Sequence, residues 1–177
     1  MAIRRRKIRE LVKTLLKEMK VTNAPVPVWE IARMKGAKIV IEALDGDLSG
    51  FLYQDSSQKI IGVNTQQATV RQNFTVAHEL AHLLLHDQEG PLHVDRAFQT
   101  IRMRDDVSSQ GVDQDEIEAN FFAAEILMPE KFLRHDLAGR DSLDLYEEDF
   151  IPELTKKYGV SVQALTFRLQ YLGYIDG

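Results

Sequence analysis

The sequence predicts an α+β fold, and three observations carry that reading. Three short strand-like segments lie between residues 38 and 64, a long amphipathic helix follows them, and much of the remainder has helical periodicity. At 177 residues, 44% hydrophobic and 28% charged, the chain can bury one good core. It has no cysteine, which removes disulfides and argues against a secreted scaffold. No apolar run approaches a membrane span and no signal-peptide core follows Met1, so a cytoplasmic protein is expected.

The first element is a helix. Ile8, Leu11, Val12, Leu15, Leu16 and Met19 recur at helical spacing within residues 1–20. The same stretch holds eight Lys and Arg against Glu10 and Glu18, a net +6, so the rest of a chain of net charge −5 carries −11. Such a basic face could attract DNA, an anionic membrane surface or an acidic partner, but a solvated outer face is the simpler account. A short helix within Val26–Gly36 comes next, closed by its glycine. Then Lys38–Ala43, Gly50–Gln54 and Lys59–Asn64 have strand patterns, with turn residues at Asp45-Gly46-Asp47 and Asp55-Ser56-Ser57. Strands so closely linked predict an antiparallel three-stranded meander.

The helix after them carries the chemistry. Thr69-Val70-Arg71-Gln72 has the form of a capping box. At about 100° per residue, Thr75, His78, Glu79, His82 and His86 fall within one arc, and apolar residues fill the rest. A helix so widely apolar is buried, so its polar arc must face a cleft. His78-Glu79-Leu80-Ala81-His82 puts two imidazoles four residues apart, where both can reach one metal ion. Glu79 lies where a carboxylate can take the proton of an attacking water. A core helix whose histidines bond to backbone carbonyls is the bland alternative. The shared arc at ligand spacing favours metal.

A catalytic zinc site usually takes three protein ligands. Without cysteine the third is His, Asp or Glu. Asp115–Pro129 predicts a second helix stopped by its proline, with Ile117, Phe121, Ala124 and Met128 as core stripe. Glu116 and Asn120 share a face beside that stripe, so Glu116 can ligate and Asn120 can orient a ligand histidine. Glu118 lies nearly opposite and is expected to be solvated. His86 and His93 are rival third ligands. Between the helices, Asp87–Gly111 is long and mostly polar, with a possible strand at Phe98–Arg104. His86, His93, Arg102, Arg104 and Tyr53 are the candidates for polarising a scissile carbonyl or stabilising an oxyanion.

The tail, Glu153–Leu169, has helix, glycine turn, Ser161 cap and second helix, which is helix-turn-helix spacing. From Asp144 onward three cations face six carboxylates, and that net of −3 argues against DNA binding. We therefore divide the chain into residues 1–143, carrying the site, and a helical segment, 144–177, packed on it.

The motifs together resemble the ImmA/IrrE group of bacterial and phage zinc metallopeptidases, from about Gly36 onward. The resemblance rests on Leu48-Ser49-Gly50-Phe51-Leu52, Ile61-Gly62-Val63-Asn64, Arg71 through His86, Glu116 through Pro129, and Gly159 through Leu165. The family typically has glycine where Ala81 stands, a small change. The resemblance implies a zincin-like fold, zinc held by His78, His82 and Glu116, and Glu79 as the catalytic carboxylate. It further implies an endopeptidase cutting a protein, a helix-turn-helix repressor whose loss derepresses stress-response or mobile-element genes. In such enzymes an extended substrate commonly lies along an edge strand. The alternative from another class is a metal-stabilised module that sequesters a repressor or antitoxin without cutting it.

Overall fold

In a computed structural model, residues 3–45, 48–86, 92–96, 114–138 and 150–175 are described, of which 92–96 as backbone alone. In chain order the elements are α1 Arg5–Glu18, α2 Val28–Met34, β1 Ala37–Glu42, β2 Leu48–Gln54, β3 Lys59–Asn64, α3 Thr69–Leu85, β4 Leu92–Arg96, α4 Gln114–Leu127, α5 Glu130–Asp136, α6 Phe150–Tyr158 and α7 Val162–Tyr171. The α+β expectation holds.

The sheet differs from the expected meander. Its order is β1-β3-β2-β4, with β1 parallel to β3 and the other pairings antiparallel. The β2–β3 hairpin forms as its turn residues predict, but β1 lies on the far side of β3. Asn64, at the end of β3, ties down that crossing. Its amide donates to the carbonyls of Leu48 (2.7 Å) and Leu44 (3.3 Å), and its oxygen accepts from the backbone of Gln66 (2.9 Å) and Leu44 (3.4 Å). A buried amide with every group occupied holds the arch more firmly than the short link between β1 and β2 suggests. The fourth strand, β4, follows α3 and pairs outside β2. The strand expected at Phe98–Arg104 lies outside the described residues. Among those described, the open edges of the sheet belong to β1 and β4.

Helix α3 lies on the sheet against β2 and β3. Gly50 allows the close approach: a Cβ there would stand 2.4 Å from Thr75 Cγ2 and 2.6 Å from the Gly62 carbonyl oxygen. Val76, Ala77, Leu80 and Ala81 of α3 are fully buried against Leu52, Ile61 and Val63 of the sheet and Ala119, Phe122 and Ile126 of α4. The capping box does not form. Ala68 is the N-cap, and Gln72 donates instead to the carbonyls of Gln67 (2.9 Å) and Asn64 (3.3 Å), fastening the helix start to the end of β3.

Helix α4 is covered on both sides, by α3 and by α1. That double cover corrects two expectations. Of the expected stripe Phe121 and Met128 are buried, while Ile117 and Ala124 are half-buried beside a groove and Ala119, Phe122, Ala123 and Ile126 are fully buried instead. Glu118 is not solvated but fully buried, because Arg4 at the start of α1 pairs with it. Arg9 likewise turns inward to Glu125 (3.1 Å), so the N-cap Arg4 and Arg9 of α1 both pair with buried carboxylates of α4. At the tail Gly159 takes φ 65°, Ser161 caps α7 by accepting from the Ala164 amide, and Asn73 of α3 donates to the Gly159 carbonyl (3.1 Å). Arg168 of α7 is buried in a two-pronged pair with Glu125, both bonds 2.9 Å, and its Nε donates to the Met128 carbonyl. Among the described residues no helix is long and apolar enough to cross a membrane.

Candidate metal centre

The site forms where the buried middle of α3 meets the first turn of α4. One helical turn separates His78 from His82, so both rings leave the same face and meet through their Nε2 atoms, 3.1 Å apart. Glu116 reaches them from the facing helix, with carboxylate oxygens 3.3 Å from His78 Nε2 and 3.2 Å from His82 Nε2. Ligands about 2.0–2.1 Å from a tetrahedral Zn2+ stand about 3.3 Å apart, and the donor atoms here, with one Glu116 oxygen facing each histidine, cluster at about that spacing. Two imidazoles and a carboxylate also suit zinc chemically. These three residues could hold a metal ion.

Burial gives the site a direction. The side chains of His78 and His82 are 1% and 3% exposed, whereas Glu116 is 32% exposed, so the opening is on the Glu116 side. Glu79 is fully buried beside the two histidines. Asn120, one turn beyond Glu116, places its oxygen 3.2 Å from His78 Nδ1 and so engages the ring nitrogen turned away from the triangle. A groove of about 310 Å3 runs on from Asn120, with apolar walls that include Phe74, Ile117, Phe121, Phe167 and Tyr171.

The other sequence candidates are scattered. His86 is not on the helix but its C-cap, in extended conformation, and its ring reaches back to His82 rather than into the triangle. Tyr53 on β2 donates to Asp55 (2.7 Å), and that bond raises its pKa. Asp55 is held well below the usual carboxylate range by Tyr53 first, and then by Ser57 and Gln58. His93 belongs to β4, opposite Leu52 in register, with its side chain outside what is described. Arg102 and Arg104 lie outside the described residues.

Sequence reasoning missed Glu118 and Arg4. Burial pushes the Glu118 carboxyl up, but the side-chain and backbone donors of Arg4, with His86, more than reverse this and bring it to about 2. Arg4 in turn is raised by Glu118. A charged residue on the apolar side of an amphipathic helix was the available signal, but its partner lies 114 positions away.

Comparison with known proteins places the chain in a family and matches its fold. The family model of the IrrE N-terminal-like domain, peptidase family M78, matches residues 32–170. The uncharacterized immunity region protein 2 of Bacillus phage phi105 is 28% identical over 124 residues, 70% of this chain and 69% of that protein. A Mycobacterium tuberculosis transcriptional regulator superposes with TM-score 0.61 at 15% identity, over 93% of this chain and 46% of the regulator. The likeness to the regulator is one of fold, and the chain spans about half of that protein's length. Since the matched span covers most of the chain, α3 and α4 included, this chain belongs to the IrrE N-terminal-like domain family of metallopeptidases.

Proposed function

We propose that the protein is a zinc-dependent endopeptidase, with the metal held by His78, His82 and Glu116 and Glu79 as the catalytic carboxylate. The observation that carries this reading is the convergence of two Nε2 atoms and a carboxylate at 3.1, 3.2 and 3.3 Å, with Glu79 buried on the same helix. Zn2+ supplies Lewis acidity there, for a scissile carbonyl and for a nucleophilic water. Glu79 accepts the proton of the attacking water and hands it to the leaving amine. Asn120 keeps the His78 ring in place by accepting from Nδ1. The open edge of β4 can take an extended substrate as an added strand, and the groove beyond Asn120 has room for a large apolar side chain.

Likeness to a phage immunity region protein supports a substrate in that setting. We read it as a helix-turn-helix transcriptional repressor in the bacterial cytoplasm, whose cutting derepresses mobile-element or stress-response genes. Zinc per chain, measured on protein purified without chelator, and cleavage of a repressor encoded beside the gene test the two halves of the reading. Glu79→Gln should keep one zinc per chain and lose about 100-fold or more in cleavage. Wild-type protein that takes up no zinc would refute the metal site. Loss of repression that survives Glu79→Gln would instead mean that the protein sequesters its partner without cutting it.

A further inference from the structure

A second cluster of titratable side chains stands directly behind the metal triangle. His86 Nδ1 is 3.2 Å from His82 Nδ1, and His86 Nε2 is 3.3 Å from Glu118 Oε2 and 3.4 Å from Asp115 Oδ1. Glu118 is then gripped by Arg4: the Arg4 backbone amide donates to Oε1 (2.7 Å), and its Nε donates to Oε2 (2.9 Å) and Oε1 (3.1 Å). Arg4 Nη2 also donates to the carbonyl of Leu85 (3.2 Å), at the end of α3 next to His86. We propose that Arg4 and Glu118, acting through His86, are positioning residues that fix which ring nitrogen His82 offers to the metal. This rests on the metal reading above.

Proton counting carries the argument. A neutral imidazole has one N–H and one lone pair. For His82 to offer its Nε2 lone pair, its proton must sit on Nδ1, where the acceptor at hand is His86 Nδ1. A neutral His86 must then carry its own proton on Nε2, where Glu118 is the nearer carboxylate acceptor and Asp115 the other. Every group in the chain from His82 to Glu118 is satisfied in this direction. In the opposite direction a lone pair of His86 Nε2 would face the Glu118 carboxylate, and His82 Nε2 would carry a proton and could not ligate. The carboxylate therefore selects the direction, and Arg4 compensates a charge that is fully buried. His78 reaches the same end in one step, through Asn120. Arg4 lies outside the residues matched by the family model, so the inference makes a segment beyond the family domain a working part of the metal centre.

The test is zinc affinity of the full chain, by competition with a chromogenic chelator, for wild type, Arg4→Gln, Arg4→Lys and His86→Phe. Melting of each metal-free protein is measured alongside. Arg4→Gln and His86→Phe should bind zinc about 10–100-fold more weakly, and Arg4→Lys should recover part of the loss. Nitrogen-15 spectra of the zinc-loaded wild type should show the proton of His82 on Nδ1 and that of His86 on Nε2, a readout that stands even if Arg4→Gln fails to fold. Affinities within twofold of wild type in both variants, or a His86 proton on Nδ1, would overturn the inference and leave the metal site standing. A wild type that takes up no zinc would overturn both.

Discussion

Gly50 decides how near the sheet comes to the metal helix. With a Cβ at this position 2.4 Å from Thr75 Cγ2 and 2.6 Å from the Gly62 carbonyl, either α3 or β3 must give way. Thr75 is one turn before His78 and fully buried, so it has little room to move. Gly50→Ala should cost about 1–3 kcal/mol in urea unfolding and weaken zinc binding as His78 shifts. Unchanged stability and unchanged affinity together would show that the contact relaxes freely. At this scale the sequence was most readable where the arrangement of side chains is local. His78, Glu79 and His82 follow from the pitch of one helix, and the nomination of Glu116 with Asn120 follows from a second helix that must face the first. His86 was harder to place because helical spacing carries the arc on to it, whereas the helix stops at Leu85.

Helix α7 and its turn show how one pattern can serve two uses. A glycine turn and a serine cap before a helix fit a DNA reader, and the fold has both features. Yet Arg168, one of the few cations of this tail, is 3% exposed and spends its guanidinium on Glu125 of α4. Arg168→Ala would leave Glu125 buried with Arg9 as its remaining partner, and should destabilise the protein by about 3 kcal/mol in urea unfolding. A loss well under 1 kcal/mol would mean that Arg9 compensates alone. The hairpin β2–β3 was legible because its turn residues are adjacent in sequence. The place of β1 was not, since hydrophobic alternation says that a strand exists and not which neighbour it takes. Asn64 settles that by bonds to Leu44 and Leu48, and a lone asparagine ending a strand carries no such message in the sequence.

Over the whole molecule, charges that bridge distant elements make stability depend on acid. Asp136, at the end of α5, accepts from Lys157 (2.6 Å) and Tyr158 (2.8 Å) of α6. Burial raises its pKa, but the bonds from Lys157 and Tyr158, with His135, outweigh that and lower it. A carboxyl lowered on folding contributes stability that is complete above its unfolded pKa of about 3.9 and is lost as pH falls through the folded value. Asp136→Asn should therefore be less stable than wild type at pH 7, and the two should converge as pH falls below the folded pKa. Parallel curves of unfolding free energy against pH would remove Asp136 from the acid response. The sheet carries a consequence for assembly. Strands β1 to β3 and helix α3 form one unbroken stretch, whereas β4 reaches the outer side of β2 only after the chain has passed through α3. Until it arrives, Leu48–Gln54 presents a row of unpaired backbone groups on an apolar strand, which any other extended chain can pair with. Among the described strands β4 is thus the last to be synthesised, and its loss would leave β2 as an open edge on which copies of the protein can pair with one another.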